Sequence, residues 1–325
     1  MAGANFTSSG RKKALLVGIN YIGSKHALAG CINDAHNLQN FLVQQYGYKT
    51  DQRSMLVMTD DNKDPRYVPT TKNLLGAFHW LVYDARPGDH LFFSYSGHGG
   101  QVPDTNDNDR ASGMDDTICP VDFEQSGQID SDLLHKALVT ALPDGVKLVV
   151  VMDCCHSGTM LELPYTYAPD ENGQMNPKEA IQVGIKVFTG VTHLLQGGFS
   201  ASKIQEAKGL LADVKGLAHM FSGSPATTDN NGYKREEFSE AKTETPKEAY
   251  LIAGCLDAQT SADTSFNGQA SGALTYALLN VLRENKQLSY EQLLAQLRGF
   301  MQGKFSQVPQ LSCGKPVDPQ STFTL

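Results

Sequence analysis

One stretch of the chain constrains the fold most strongly: a run of five apolar residues, Leu148 to Met152, followed directly by Asp, Cys, Cys, His, Ser and Gly. An apolar run of this length is typical of a strand buried on both faces of a parallel sheet, and it is too short to cross a membrane. In open α/β sheets, functional side chains follow the carboxyl ends of the strands. The run therefore predicts a site at Cys154 and Cys155, unless both thiols are inert core residues, as free cysteines often are.

A second stretch, residues 90–100, has the same plan, with an apolar run that ends in glycines around His98. Glycines at 97, 99 and 100 remove side-chain bulk and let backbone or substrate approach closely. Cysteine and histidine at neighbouring strand ends can act as nucleophile and general base. His98 precedes Cys155 by 57 residues, and one class of cysteine peptidase has a spacing of about 50. The two stretches together favour a catalytic pair over inert core residues.

The remaining sequence alternates between strand and helix patterns, which predicts an α/β fold with a mostly parallel central sheet. Further strands are expected at residues 14–19, 54–59, 117–122, 249–256 and 308–313. Helices are expected at 33–46, from Thr70 or Thr71 to before Pro87, and at 130–142, 201–217, 273–284 and 290–302.

Three details of these elements can be predicted as well. Asn33 or Asp34 is placed to cap the first helix. In the helix at 130–142, the periodicity turns four side chains inward: Leu133, Leu134, Ala137 and Leu138. Pro309 favours an edge position for the last strand, because proline has no backbone N–H to donate.

Composition narrows the class of protein. The net charge of −8 argues against a nucleic-acid partner and suits basic substrates. Residues 1–10 are small and polar, so no secretory signal and no membrane anchor are expected. The six cysteines are scattered through apolar segments, which favours reduced thiols and a cytoplasmic or nuclear location.

Residues 94–100 and 153–159 resemble the two catalytic motifs of metacaspases, in the caspase-like clan of cysteine peptidases, and the chain is most similar to type I. The similarity continues at residues 13–21, 30–35, 113–116, 120–123, 163–167 and 259–263. The resemblance implies a caspase-like sheet with helices on both faces, a three-layer sandwich, in a monomer that acts on protein or peptide substrates. It also suggests a role in programmed cell death. The Gln-Ala-Cys signature of caspases is absent, so specificity for Asp is not expected.

The resemblance also implies an organisation within one caspase-like domain at 13–325, preceded by a short extension at 1–12. Residues 13–162 correspond to the large subunit and 249–325 to the small subunit. The connection at 163–248 has poor periodicity and many Lys residues, so we expect an irregular, exposed segment with sites of self-cleavage. Lys234-Arg235 is the preferred site among them.

The family motif Asp-x-Cys-His-Ser-Gly selects Cys155 as nucleophile, with Cys154 at the variable position. His98 would take the thiol proton and later protonate the leaving amine. His156 is an alternative base, but adjacent side chains diverge, which argues against it. The backbone N–H of Cys155 and one near Gly99 could form the oxyanion hole.

Substrate choice follows from acidic residues. By resemblance, Asp34 and Asp153 line the first specificity pocket and bind Arg or Lys, with Ser96 beside them. A carboxylate pairs well with a guanidinium or an ammonium group. The alternative for Asp34 is the helix cap described above, and it could serve both roles.

By resemblance, a Ca²⁺ site is expected at four carboxylates: Asp115, Asp130, Asp132 and Glu162. A second acidic pattern runs from Asp104 to position 115 and imitates an EF-hand loop. It has Asp109 where that loop needs Gly, and Asp instead of Glu at the last position. We therefore interpret this second pattern as a solvated acidic loop.

These observations predict a calcium-stimulated cysteine endopeptidase that cleaves after Arg or Lys and is made as a zymogen. Two alternatives remain. One is a non-proteolytic scaffold or aggregate-handling role on the same fold. The other is a thiol-redox protein that uses Cys154 and Cys155, which is disfavoured because adjacent cysteines form a strained ring.

Overall fold

The computed structural model of the protein describes residues 10–105, 113–155, 157–167, 234–235, 246–255, 264–266, 269–305 and 307–325. The strands are β1 Lys12–Gly18, β2 Met55–Thr59, β3 His90–Ser96, β4 Gly99–Pro103, β5 Met114–Ile118, β6 Ile129–Asp130, β7 Lys147–Asp153, β8 Tyr165–Tyr167, β9 Lys234–Arg235, β10 Ala249–Cys255, β11 Thr264–Phe266, β12 Gln269–Ser271 and β13 Val308–Cys313. The helices are α1 Cys31–Tyr46, α2 Thr71–Val82, α3 Phe123–Ser126, α4 Ser131–Leu134, α5 Ala273–Glu284 and α6 Tyr290–Met301.

A central sheet has the strand order β2-β1-β3-β7-β10-β13-β8-β9. The pairs from β2 to β10 are parallel, and those from β10 to β9 are antiparallel. The parallel strands are nearly continuous apolar runs because both of their faces are covered. The predicted mostly parallel sheet is confirmed.

The core lies in two layers, one on each face of the sheet. Alternate side chains of each strand point to opposite faces, so Val149 and Val151 belong to one layer and Leu148 and Val150 to the other. Helices α1, α5 and α6 pack on the first face, and α2 and α4 pack on the second. This arrangement is the predicted three-layer sandwich.

A smaller antiparallel sheet, β4-β5-β6, extends from the carboxyl edge of β3. Strand β4 begins at Gly99, directly after His98, and pairs with β5 from Gly99–Ile118 to Pro103–Met114. β11 and β12 pair separately. Within the described residues, no helix is both long and apolar enough to cross a bilayer.

The predicted cap of α1 is wrong. Neither Asn33 nor Asp34 occupies the cap position, which belongs to Gly30. Instead, Asn20 Oδ1 accepts hydrogen bonds from the N–H groups of Cys31 (3.0 Å) and Ile32 (3.2 Å). These are N–H groups at the start of a helix, which have no partner within it. Asp34 therefore does not cap the N-terminus of α1 and lies buried in the first turn of that helix.

Two further details also differ from the prediction. The predicted inward position of Leu133 is wrong, since this side chain is 38% exposed whereas Leu134 and Leu138 are buried. The helix α4 continues as a π-helix, His135–Thr140, and the buried side of the two together does not include Leu133. The edge position of β13 is wrong, since β10 and β8 flank it. β8 pairs only with Leu311–Cys313, however, so Pro309 has a strand neighbour on one side, at Gly254 of β10.

Two short strands, β8 and β9, lie in the interval 163–248 that was expected to be irregular. Lys234-Arg235, the preferred self-cleavage site, forms β9 and pairs with Thr166 and Tyr165. The helix expected at 201–217, the EF-hand-like positions 106–112 and His156 lie outside the described residues.

Candidate active site

The register of β3 and β7 brings the predicted pair to one edge of the sheet. The two strands are parallel, and Ser96 lies opposite Asp153 at their carboxyl ends. His98 and Cys155 each follow two residues later, so they leave the sheet at the same level on neighbouring strands.

The two adjacent cysteines have different surroundings. Cys154 is fully buried, and burial raises the pKa of its thiol well above the ordinary value, so it stays protonated at neutral pH. Cys155 is half-buried. Among the cysteines whose side chains are described, the other four are buried. Among these described cysteines, Cys155 alone combines partial exposure with a position at the same sheet edge as His98.

The imidazole of His98 is oriented by the backbone. Its Nε2 lies 2.8 Å from the carbonyl oxygen of His26. A carbonyl can only accept a hydrogen bond, so Nε2 carries the proton and donates it. Nδ1 then keeps its lone pair and is the atom able to accept a proton from a thiol. The sequence did not indicate His26, because it acts through its main chain.

The glycines around His98 allow close approach of the protein to itself. A Cβ atom at Gly99 would lie 2.1 Å from the carbonyl oxygen of Cys155. A Cβ at Gly97 would lie 2.7 Å from the hydroxyl of Tyr95. Any side chain at Gly99 would therefore push Cys155 away from His98. Cys155 belongs to the segment 154–162 that follows β7, which we call the cysteine loop.

The three residues predicted to line a specificity pocket converge. Asp34 and Asp153 are both buried, and a Cβ at Gly272 would lie 2.8 Å from Asp34 Oδ2 and 2.3 Å from Asp153 Oδ2. Ser96 is also buried, and its side chain hydrogen-bonds to Asp34. The two carboxyl groups thus meet at the residue that precedes α5.

The start of α5 supplies donors to both carboxyl groups. The N–H of Gly272 donates to Asp34 Oδ2 at 2.9 Å, and the N–H of Thr275 donates to Asp153 Oδ2 at 2.8 Å. The hydroxyl of Ser271 also donates to Asp34. These donors favour negative charge at a helix N-terminus. Sequence reasoning missed all three residues, since no local pattern links them to the aspartates.

Burial opposes that negative charge more strongly than the donors favour it. Burial, and then the neighbouring charge of Asp153, raise the pKa of Asp34 to about 8. Burial also raises the pKa of Asp153. Asp34 therefore holds its proton at neutral pH unless a cation lies beside the pair.

A second acidic group lies on the smaller sheet. Asp104, Asp115 and Asp132 offer carboxylate oxygens that all lie within 4.8 Å of one another. Asp104 comes from the pattern that we interpreted as a solvated loop, and that interpretation is wrong for this residue, because it is buried beside Asp115. Asp130 and Glu162 are not members of this group of described residues.

Asp130 and Glu162 have other surroundings. The side chain of Asp130 accepts a hydrogen bond from the N–H of Leu133 at 2.8 Å and so caps α4. Glu162 is fully buried at the end of the cysteine loop and has a left-handed backbone, with φ of 48°.

Another carboxyl group of β5, that of Asp116, accepts hydrogen bonds from Gln101 and from Thr159 of the cysteine loop. The smaller sheet is thereby tied to the segment that carries Cys155.

The fold and the site define a class: α/β proteins that hold a thiol and an imidazole at neighbouring ends of parallel strands, next to buried acidic side chains. In this chain those are Asp34 and Asp153, and we call the pair the acidic recess. Residues 12–164 match the family "Metacaspase, peptidase C14 domain". Metacaspase-1 of Cryptococcus neoformans var. neoformans is 42% identical over 315 residues, which cover 97% of this chain and 65% of that protein. Metacaspase-1 of Kluyveromyces lactis is 43% identical over 317 residues, 98% of this chain and 69% of that protein.

The chain therefore belongs to the metacaspase family, as the motifs predicted. It spans about two thirds of the length of these relatives. A crystal structure of a protein from Geobacter sulfurreducens is similar in fold, with a TM-score of 0.53 and 22% identity over 96% of this chain and 97% of that one.

Proposed function

We propose that the protein is a cysteine endopeptidase that cleaves after Arg or Lys and is stimulated by Ca²⁺. The observation that supports the proposal is the register of β3 and β7, in which Ser96 lies opposite Asp153, two residues before His98 and Cys155. The acidic recess of Asp34 and Asp153 begins at the same strand ends, since Asp153 is the last residue of β7.

The proposed reaction uses two side chains. Nδ1 of His98 accepts the proton of the Cys155 thiol, and the thiolate attacks the carbonyl carbon of the scissile bond. The oxyanion receives hydrogen bonds from the N–H of Cys155 and from one near Gly99. The imidazolium then protonates the leaving amine as the C–N bond breaks, which leaves a thioester. Water, deprotonated by His98, hydrolyses the thioester and restores the thiol.

Specificity for Arg or Lys is supported by the charge of the recess. Asp34 and Asp153 can together carry two negative charges, and a guanidinium or ammonium group would stabilise both. An acidic substrate residue would add a third carboxylate to the same buried volume. We expect cleavage after Asp to be negligible for this reason.

The residues that would hold Ca²⁺ are Asp104, Asp115 and Asp132. Their carboxylate oxygens lie close enough to share one cation, and Ca²⁺ prefers oxygen ligands of this kind. When bound, the ion supplies positive charge that offsets the repulsion among the three carboxylates. Asp104 and Asp115 lie at the far end of the β4–β5 hairpin, whose near end adjoins His98. An ordered hairpin would favour an ordered base.

We also propose that the protein is a monomer of the cytoplasm or nucleus, made as a zymogen and cut by itself in the connection 163–248. The basic residues of that interval are potential substrates of the same recess.

Hydrolysis of fluorogenic peptides ending in Arg, Lys or Asp, with Ca²⁺ or with chelator, tests the proposal. We expect hydrolysis after Arg and Lys only, at a rate that chelator lowers. Cys155→Ala should abolish it, and the matched variant Cys154→Ala should retain most of it. Full activity in Cys155→Ala, or efficient hydrolysis after Asp, would contradict the proposal.

A further inference from the structure

The backbone of His98 is not fixed by a regular sheet. β3 ends at Ser96 and β4 begins at Gly99, so residues 97 and 98 cross between two sheets. In a β-strand, the ladder of hydrogen bonds sets the position of each residue. The carbonyl oxygen of His98 accepts one main-chain hydrogen bond, from the N–H of Cys119 at 3.1 Å, and the other groups that hold the main chain of His98 come from side chains.

Two buried tyrosines supply them. The N–H of His98 donates to Tyr21 Oη at 2.9 Å, and Tyr95 Oη donates to the carbonyl oxygen of His98 at 2.7 Å. The same two hydroxyls bond to the facing residue, Cys119: Tyr21 Oη donates to its carbonyl oxygen at 2.6 Å, and its N–H donates to Tyr95 Oη at 3.2 Å. We call this pair of hydroxyls the tyrosine clamp. Each hydroxyl joins His98 to Cys119.

Each hydroxyl of the tyrosine clamp donates one of these hydrogen bonds and accepts another. Tyr21 and Tyr95 are 2% and 0% exposed. Burial raises the pKa of both phenols well above the ordinary value, so both keep their protons and can donate. The space beside Gly97 is taken by these two hydroxyls, since a Cβ there would lie 2.7 Å from Tyr95 Oη and 3.0 Å from Tyr21 Oη.

Tyr21 also contacts the imidazole itself. Its ring centroid lies 4.7 Å from that of His98. The carbonyl group that accepts from His98 Nε2 belongs to His26, five residues further along the same segment. One short segment thus holds the main chain, the ring face and the ring nitrogen of His98.

That segment is itself held in a special conformation. Tyr21 has a φ of 49°, in the left-handed region that non-glycine residues seldom adopt. The carboxylate of Asp60 accepts hydrogen bonds from the N–H groups on either side, Asn20 at 2.8 Å and Ile22 at 2.9 Å. Local backbone strain of this kind persists where the surroundings over-determine it, often at functional sites.

We infer that Tyr21 and Tyr95 are positioning residues: their hydroxyls hold the backbone of His98 so that its Nδ1 faces Cys155. The inference rests on the proposed function of His98 as general base. Displacement of a reacting group by about 1 Å can cost on the order of 100-fold in rate. Tyr21 carries the larger share, because the carbonyl oxygen of His98 also accepts from the N–H of Cys119 at 3.1 Å.

The test compares Tyr21→Phe and Tyr95→Phe with Tyr48→Phe. Tyr48 is a buried tyrosine near Lys12, at the opposite edge of the sheet, and serves as the matched control. We expect kcat for an Arg peptide to fall about 10- to 100-fold in Tyr21→Phe and about 3- to 10-fold in Tyr95→Phe, with KM within about 3-fold of wild type. Tyr48→Phe should keep both constants.

A second readout does not depend on peptide hydrolysis. Iodoacetamide alkylates thiolate, so the rate at Cys155, followed by peptide mapping, reports how well His98 takes its proton. An ordinary thiol is almost fully protonated at pH 6 and largely ionised at pH 9, so rapid alkylation at pH 6 reports help from a base. We expect the ratio of the rates at pH 6 and pH 9 to fall about 10-fold in Tyr21→Phe and to stay constant in Tyr48→Phe.

The outcomes separate the two proposals. Unchanged kcat and an unchanged alkylation ratio in Tyr21→Phe would overturn the positioning role. If Tyr21→Phe does not fold, Tyr95→Phe decides by the same ratio. If wild-type protein hydrolyses no peptide, the proposed function fails, and a fall of the ratio in the clamp variants would still support the positioning of His98.

Discussion

The acidic recess predicts a measurable release of protons when a cation enters it. Asp34 is buried beside Asp153, and burial followed by that neighbouring charge raises its pKa to about 8. At pH 7, about 0.9 of the Asp34 side chains are then protonated, and at pH 9 about 0.1. A bound guanidinium or amidinium requires the ionised form. Its entry at pH 7 should therefore release about 0.9 proton per site.

The same linkage fixes the pH dependence of affinity. With a pKa of about 8, the dissociation constant for a cation should fall about 10-fold from pH 7 to pH 9, or about 1.4 kcal/mol. Burial raises the pKa of Asp153 as well, which acts in the same direction. The change is a gain of affinity with rising pH, because less protonated carboxyl group remains to be ionised.

Calorimetry of benzamidine binding measures both quantities. The protein carries Cys155→Ala, so that no catalytic thiol titrates, and buffers of different ionisation enthalpy give the number of protons released. Benzamide, the neutral analogue, should bind without proton release at either pH. Asp34→Asn, which keeps the size of the side chain, should release fewer protons and flatten the pH dependence. A constant dissociation constant between pH 7 and pH 9, with no proton release, would refute the reasoning.

Three further predictions follow from the same contacts. The pKa of Asp34 in the folded protein, about 8, lies above the ordinary 3.8, so its contribution to stability is present below about pH 4 and is lost as the pH rises through 8. The melting temperature of Asp34→Asn, relative to that of wild type, should therefore rise between pH 5 and pH 9. A constant difference between the two melting temperatures would contradict this. Asp104→Asn should raise the Ca²⁺ concentration for half-maximal activity at least about 10-fold. The control Asp130→Asn, which can still cap α4, should leave that concentration unchanged. Equal effects of the two variants would contradict the assignment of the site to Asp104, Asp115 and Asp132. Added Ca²⁺ should induce self-cleavage, and Cys155→Ala should block it. Little cutting is expected at Lys234-Arg235 while β9 is paired with β8. Mass spectrometry that finds this bond cut first would contradict the idea that strand pairing protects it.

The position of His98 and Cys155 at one edge of the sheet could be predicted because each residue follows a local pattern. A fully buried strand has an apolar run that is visible in the sequence, and the polar residues after it mark the carboxyl edge. His98 and Cys155 follow such runs at the ends of β3 and β7. The parallel order then places both ends on one side of the sheet. The exclusion of Cys154 came from the family motif, and its complete burial gives the physical reason.

The supporting residues could not be predicted because they act through space. Asn20 caps a helix that begins 11 residues later, and Asp60 holds the segment of Tyr21 from another strand end. No periodicity connects such pairs. Asp104 was discounted because its loop fails the EF-hand pattern, but a cation site needs only that oxygens meet, and the β4–β5 hairpin brings Asp104 to Asp115.

Errors in the helices have a similar origin. Asn33 and Asp34 have suitable side chains for a cap, yet the chain before them runs so that Asn20 reaches the same N–H groups. Leu133 fits an α-helical stripe, but the π-helix that follows α4 changes which side chains share a face. Both cases depend on tertiary packing that local propensity does not contain.

The most direct test of the central claim is labelling by an arginine-terminated acyloxymethyl ketone. A thiolate displaces the carboxylate leaving group and becomes covalently attached to the peptide, and peptide mapping identifies the labelled cysteine. We predict that Cys155 alone is labelled, that His98→Ala slows labelling by about 100-fold or more, and that the analogue ending in Asp does not react. Label on Cys154, or equal labelling by the Arg and Asp analogues, would contradict the proposed dyad and its acidic recess.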